Sequence, residues 1–430
     1  MSIPLFKKLF ARLSSPPPAK ASAPKVEATP PAAAAPRLLF AWQELIGADR
    51  RIAGYRLLPR ALDGDAAISG AQLSAGLAHE NVRPAAAQRP LLIPLSAAQW
   101  ADADFTPLLA AHSHLLITDL AACADPRALI DAIHVAGGRV AAYLPWQVDA
   151  QAELPVDLFL LEFHEVPLAA LEQRLQALAR RRPGVGLLAD GIESWDEFRL
   201  CQRLGITYCS GGFTASRDQA ASAERISESR LVVIDMLNQI RADAPLKAIA
   251  ATAMRDPAVV VKLLEMANSP LYGLPRKVAG IEEAITLLGR DALYRWLSLA
   301  MFRMDGDNGR DGTLLMLAMG RAALLAGLAR DSGQAADEAF LVGLLSLIDC
   351  LLERPLSEIL ARIQLPEAVA AALLRNEGPH APPLQLAIML ERCQLDQAVI
   401  LAGALQIPTA RLVACYREAL SWATAQVGDA

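Results

Sequence analysis

No stretch of this chain reaches the roughly 18 unbroken apolar residues that crossing a bilayer requires, so no membrane span is expected. The nearest approach, Ala339 to Leu352, contains Asp349 and reads as a buried helix. Residues 1–13 lack the apolar core and cleavage site of a signal peptide, and a cytoplasmic location is expected. Histidine is scarce: after His164 the only one is His380, beside prolines. The six cysteines (Cys123, Cys201, Cys209, Cys350, Cys393 and Cys415) form no CxxC pair and have no histidine at ligand spacing. That excludes a disulfide frame and a zinc knuckle, and leaves reduced thiols in apolar surroundings. A net charge of −5 provides no basic field for nucleic acid. No glycine-rich phosphate loop is present.

What remains is a chain of 430 residues, 53% hydrophobic and 20% charged, long enough for two or three domains with real interiors. Residues 1–13 place Leu5, Phe6, Leu9, Phe10 and Leu13 on one helical face, with Lys7, Lys8 and Arg12 away from its centre. A short basic amphipathic helix of this kind can lie on an anionic membrane or in a partner's groove. A frayed terminus is the alternative, because isolated helices this short are marginal in water. Residues 14–36 are a Pro/Ala-rich linker, extended and poorly able to bury anything.

Residues 37–220 alternate apolar runs with helical stretches. The strand candidates are LLFAWQELI, LLIPLS, HLLITDL, VAAYLP, LFLLEF, GLLAD and TYCSGGF. Fully apolar strands separated by amphipathic helices imply a parallel sheet covered by helices, as a trimmed barrel or a doubly wound sheet. Carboxylates at predicted C-terminal strand ends are Asp119, Glu162, Asp190 and Glu193. In a barrel that is the functional face.

Residues 222–430 read as an all-helical domain. Asp256 is placed to cap a helix whose first turn holds Pro257. Val260, Leu263, Leu264 and Ala267 then form one stripe, and Pro270 stops the helix. Ile281, Ala284, Ile285 and Leu288 repeat the spacing up to Gly289, with Glu282 and Glu283 in the first turn. Leu293, Trp296, Leu297 and Ala300 continue it, with Trp296 read as core. The loop MDGDNGRDG is expected to separate this bundle from further helices.

The run DPAVVVKLLEMANSPLYGLPRKVAGIEEAITLLGRDALYRWL resembles the core of the HDOD family, a non-enzymatic relative of the metal-dependent HD phosphohydrolases. The resemblance extends more loosely through AFLVGLLSLID to about residue 425. Where an HD enzyme would have His-Asp, this chain reads Ser346-Leu347, so the resemblance implies no catalysis in this half. It also implies a docking surface: Asn268, Ser269, Tyr272, Gly273, Arg276 and Lys277, on a polar loop between two packed helices. Asn268 and Ser269 as plain helix-capping residues, and Tyr272 as core, are the competing structural reading.

The α/β half resembles a degenerate EAL domain, the TIM-barrel fold of cyclic-di-GMP phosphodiesterases. IAGYRLLPRAL stands where that family has its first strand and signature, and LLADGIESWDEFRLCQRLGITYCSGGF parallels a late family run. Position by position, the catalytic set is replaced. Arg56 stands for the signature Glu, and Pro94 falls on the strand that carries an Asn ligand. Tyr143 and Leu144 stand for paired aspartates, and Leu160 for a lysine, followed by Glu162. Asp190 and Glu193 fall on the two late glutamates, and Ser210 on a glutamine. A metal site needs several converging carboxylates, which this set cannot supply, and Arg56 opposes a cation by like charge. The expectation is a catalytically inactive signalling or scaffold protein with no catalytic residues, no metal and no cofactor. It would act through other signalling proteins in cyclic-di-GMP-linked control of motility or biofilm. Cyclic-di-GMP binding without hydrolysis, and active hydrolysis, are the alternatives.

Overall fold

Eight strands between Leu38 and Cys209 close into a barrel in sequence order. They are β1 (Leu38–Ile46), β2 (Ile52–Ala61), β3 (Leu91–Leu95), β4 (Ser113–Ile117), β5 (Arg139–Tyr143), β6 (Leu158–Glu162), β7 (Gly186–Asp190) and β8 (Tyr208–Cys209). The computed structural model describes residues 38–62, 67–144, 153–165, 167–218, 227–267, 278, 280–303 and 309–427. The amphipathic stretch 1–13, the linker 14–36 and the loop holding Asn268, Ser269, Tyr272, Gly273, Arg276 and Lys277 lie outside the described residues.

The expectation of a parallel sheet holds from β2 to β8. It fails at β1, which runs antiparallel to both β2 and β8. The reason is the length of the first connection. Gly47–Arg51 is a tight turn in which the Gly47 N–H donates to the Arg51 carbonyl at 3.0 Å, with Arg50 at a φ of 64°. Parallel neighbours need a crossover of about a dozen residues, and a hairpin cannot supply one. The family-signature strand IAGYRLLPRA is therefore the second strand of this barrel.

Inside the barrel, Leu45, Leu92, Leu116, Ala141, Leu158, Leu160 and Leu188 form a buried layer, with Tyr143 and Tyr208 packed against it. Side chains alternate along a strand, so residues two positions further toward the C-terminal rim face inward as well. These are Gln43 (β1 runs in reverse), Pro94, Tyr143, Glu162, Asp190 and Ser210. Six helices cover the strands: α1 (Gly70–His79), α2 (Val82–Gln88), α3 (Ala97–Asp102), α4 (Pro126–Val135), α5 (Leu168–Arg181) and α6 (Trp195–Arg203). Capping boxes at Ser69/Gln72 and Ser96/Gln99 start α1 and α3.

The described residues after Asp218 are helical: α7 (Glu228–Arg241), α8 (Leu246–Ala253), α9 (Pro257–Ala267), α10 (Ile281–Leu288), α11 (Arg290–Ala300), α12 (Gly309–Ser332), α13 (Ala336–Leu345), α14 (Ile348–Leu352), α15 (Leu356–Leu360), α16 (Glu367–Arg375), α17 (Ala381–Glu391), α18 (Leu395–Ala404) and α19 (Thr409–Val427). Asp256 starts α9 as expected, its carboxylate accepting from Ala258 N at 2.7 Å and Val259 N at 3.3 Å. The buried stripe is rotated by one residue, since Val259 and Leu263 are fully buried while Val260 is only half-buried. In α10, Ile281, Ala284, Ile285 and Leu288 are all buried, and Gly289 ends it at a φ of 73°. Trp296 is core.

Two expectations need correction. The second half of MDGDNGRDG is helical, and Arg310 and Asp311 are buried on the first turn of α12. Ala339–Leu352 is not one helix, because the chain breaks at Ser346-Leu347 between α13 and α14. Among the described residues it is α12 that is long and apolar enough to cross a membrane by length and composition, and 78% of its apolar window is buried within the protein. Gly343 makes that burial feasible: a Cβ there would stand 2.4 Å from Ala322 N, so α12 and α13 meet backbone to backbone.

The described residues divide into two compact units. One joins Pro31–Asp218 to Ile388–Ala414, and the other joins Gln219–Ala387 to Cys415–Ala430. This departs from the expected domain of residues 222–430, because α18 and its flanks group with the barrel.

Candidate functional site

Asp190 ends β7 at the C-terminal rim, and four groups converge on its carboxylate. The Arg56 guanidinium donates through Nη1 to Oδ2 in a close ion pair. Gln43 Nε2 donates to Oδ1 at 3.2 Å, Ser210 Oγ at 2.8 Å and the Gly191 N–H at 3.0 Å. The second arm of Arg56, Nη2, donates to the Tyr143 hydroxyl at 3.1 Å. Arg56 is only 7% exposed. A charged guanidinium is tolerated at such depth only when paired, and the ion pair with Asp190 provides that.

Glu162, at the end of β6, stands exposed beside this group. Burial first, then a shared hydrogen bond with Glu165 and the charges of Glu165 and Asp190, raise its carboxyl above the ordinary range, and Arg56 opposes the rise.

The structure thus gathers four of the nine positions singled out in the barrel, Arg56, Tyr143, Asp190 and Ser210, into one hydrogen-bonded network, with Glu162 at its edge. Leu160 lies beneath it in the apolar layer. Pro94 is half-buried on β3 in register with Leu116. The backbone N–H of Leu144 donates to the Leu160 carbonyl at 2.7 Å, as an extension of the sheet. The Glu193 side chain is exposed, and its backbone N–H donates to Glu197 at 2.7 Å. Asp119 accepts from Ala97 N at 2.8 Å. Gln43 was not singled out in the sequence. The available signal was a polar residue two positions from Leu45 on an otherwise apolar strand.

A divalent cation does not fit this arrangement. An ionised carboxylate offers about four acceptor positions. Those of Asp190 are taken by Arg56, Gln43, Ser210 and Gly191, and the largest positive charge at the site is already covalently part of the chain. Among the described residues, no three His, Cys, Asp or Glu side chains cluster in a way that could hold a metal ion.

The late run LLADGIESWDEFRLCQRLGITYCSGGF is held by a helix cap and an aromatic cluster. Ser194 caps α6 by accepting from Glu197 N at 3.3 Å. The Trp195 indole N–H donates to the Ser216 carbonyl at 3.0 Å, and Trp195, Phe198 and Phe213 pack ring on ring at 5.0–5.4 Å. Gly211, at a φ of 145°, leaves no room for a side chain, since a Cβ would stand 2.1 Å from the Ile192 carbonyl.

In the helical unit, Ser346 and Leu347 lie at the break between α13 and α14. Ser346 Oγ donates to the Gly343 carbonyl at 2.7 Å and accepts from Arg321 Nη1 at 2.9 Å. Leu347 is buried, and so is Arg321. Nearby, buried Arg310 pairs with Glu353 and donates to the Cys350 carbonyl at 2.9 Å. His380 lies in the turn that precedes α17, as its flanking prolines suggested, but it is buried there and faces Glu338 at 3.4 Å.

The family model for the HDOD domain matches residues 229–365. The protein YuxH of Bacillus subtilis (strain 168) is 26% identical over 271 residues, covering 62% of this chain and 65% of YuxH. Cyclic di-GMP phosphodiesterase CdgJ of Vibrio cholerae serotype O1 is 25% identical over 222 residues, covering 51% of this chain and 50% of CdgJ. The chain therefore spans less than two thirds of either relative's length. Among solved structures, Klebsiella pneumoniae BlrP1 in its calcium/cyclic-di-GMP complex aligns with a TM-score of 0.35 at 17% identity, over 41% of this chain and 54% of that one. The EAL-domain protein YkuI of Bacillus subtilis, in complex with cyclic-di-GMP and calcium, aligns with a TM-score of 0.34 at 19% identity, over 41% of this chain and 53% of that one. The order expected from the sequence is the order found, a closed eight-stranded barrel followed by a helical part that matches the HDOD model over residues 229–365.

Proposed function

We propose that this EAL–HDOD chain is a non-catalytic signalling protein that works in the cytoplasm through protein contacts, within regulation linked to cyclic-di-GMP. The observation that carries this reading is the saturated Asp190 carboxylate. A phosphodiesterase that uses a metal must leave carboxylate lone pairs open to the ion and to an attacking water. Here Arg56 supplies the neutralising charge from within, and Gln43, Ser210 and the Gly191 N–H complete the set. The link to cyclic-di-GMP is supported by the name of CdgJ. The link to protein partners is supported by the HDOD match, and we take the residues Asn268, Ser269, Tyr272, Gly273, Arg276 and Lys277 as the docking surface. Incubation of the full chain with cyclic-di-GMP and Mg²⁺ or Mn²⁺ is expected to give no linear dinucleotide above a protein-free control. Metal-dependent turnover would overturn the reading.

Binding of cyclic-di-GMP without hydrolysis is the second reading, favoured by the presence of a guanidinium and a phenol at the rim. Arg56 is a phosphate-type donor, but its charge is already committed to Asp190. Calorimetry with cyclic-di-GMP is therefore expected to show no saturable heat. A saturable isotherm lost in Arg56→Ala would establish this second reading.

A further inference from the structure

The C-terminal face of the barrel carries a segment of the chain's own C-terminal part. Ile388–Ala414 belongs to the barrel unit. An ion pair and an electrostatic interaction locate it. Arg60, near the rim end of β2, donates through Nε to Asp396 Oδ1 at 2.5 Å, on the first turn of α18. Cys393, in the turn between α17 and α18, lies within the electrostatic reach of Glu44, Arg56 and Asp190. Strand polarity puts all of these on one face. β2 is parallel to β3 with Arg56 beside Leu92, so Arg60 stands beyond the end of β3. Asp190 is the last residue of β7, and β1, running in reverse, brings Glu44 to the same rim. This is the face on which barrel enzymes bind their substrates.

We infer that the barrel mouth is a protein-binding surface and that its resident partner is Ile388–Ala414, an intramolecular cap. The chemistry of the two sides matches. The Arg56–Asp190 pair has no net charge to offer an ionic ligand, and Cys393, within its electrostatic reach, is an uncharged thiol. Burial is the chief reason that thiol is pushed up to about 12, which keeps it protonated at any physiological pH. At the edge, Arg60 and Asp396 are of opposite charge. Cys393 adopts a φ of 57°, a conformation that non-glycine residues adopt only at a cost. The chain accepts that cost at a residue within electrostatic reach of the Arg56–Asp190 pair. The barrel surface so covered is one that a competing helix–turn–helix segment of a partner protein could take over.

The test is native-state labelling of the full chain with N-ethylmaleimide, read cysteine by cysteine by mass spectrometry. Cys123 and Cys393 are both half-buried. The cap predicts that Cys393 reacts more slowly than Cys123. It also predicts that Asp396→Arg, a change at an exposed side chain that leaves the fold intact, speeds Cys393 by a few-fold, as loss and reversal of one surface ion pair allows. Arg60→Glu should do the same, and the paired Arg60→Glu/Asp396→Arg chain should return toward the original rate. Cys350, buried in the other unit, should stay unreactive throughout and so report an intact fold. Reaction of Cys393 as fast as Cys123 in the unaltered chain would overturn the cap, and so would a Cys393 rate that neither charge reversal changes. None of these readings depends on whether the barrel hydrolyses anything.

Discussion

Arg56 and Asp190 are 134 positions apart, yet each answers the other's burial. Removing one member of a buried pair leaves an uncompensated charge, at a cost of about 3–5 kcal/mol where burial is complete. Asp190 keeps its bonds from Gln43, Ser210 and Gly191, so Arg56→Met is expected to cost about 2–3 kcal/mol. Urea unfolding followed by tryptophan fluorescence measures it, and Arg56→Met/Asp190→Leu should recover most of the loss. A single change costing under about 0.5 kcal/mol would mean that the pair is incidental. At this scale the sequence was informative about identities and silent about partners. Arg56 in place of a glutamate is visible in the letters RLL, and so is its hostility to a cation. Its choice of Asp190 and Tyr143 is not visible, because strand tilt and register decide which rim residues meet.

The elements were legible wherever local chemistry dictates them. Asp256 and Pro257 mark the start of α9, and the cap makes a pH prediction. A hydrogen bond from the Ser229 hydroxyl at 2.5 Å, then the N–H groups of Ala258 and Val259, hold the Asp256 carboxyl below its ordinary value. A carboxyl depressed in the folded state contributes stability above its unfolded pKa, and that contribution is lost as pH falls through the folded value. Asp256→Ala should therefore cost about 1 kcal/mol at pH 7. The difference should shrink as pH drops below the normal carboxylate range, as chemical denaturation across that window would show. A difference that persists unchanged into acid would point to packing, not to the cap. The direction of β1 was not legible from periodicity, which reports burial and not polarity. It was implicit in the five residues between Ile46 and Ile52, too few for a crossover. The break between α13 and α14 was hidden because Ser346 and Leu347 sit inside an apolar run that reads as continuous.

At the scale of the whole molecule, the grouping of Ile388–Ala414 with the barrel left no trace in the sequence. Leu395, Ala398 and Ala402 announce one buried face of α18, and nothing in that spacing names what buries it. What the sequence did announce were the residue types at these places, and the structure supplies their partners. Arg56 engages Asp190 in the barrel, and Arg321 engages Ser346 between α13 and α14. In each unit a buried arginine makes a side-chain hydrogen bond to a polar rim or turn residue. The most direct measurement is a Mn²⁺ titration of the full chain followed by the electron paramagnetic resonance of the free ion. The account predicts no saturable site. A site that fills in proportion to protein and disappears in Asp190→Asn would contradict it.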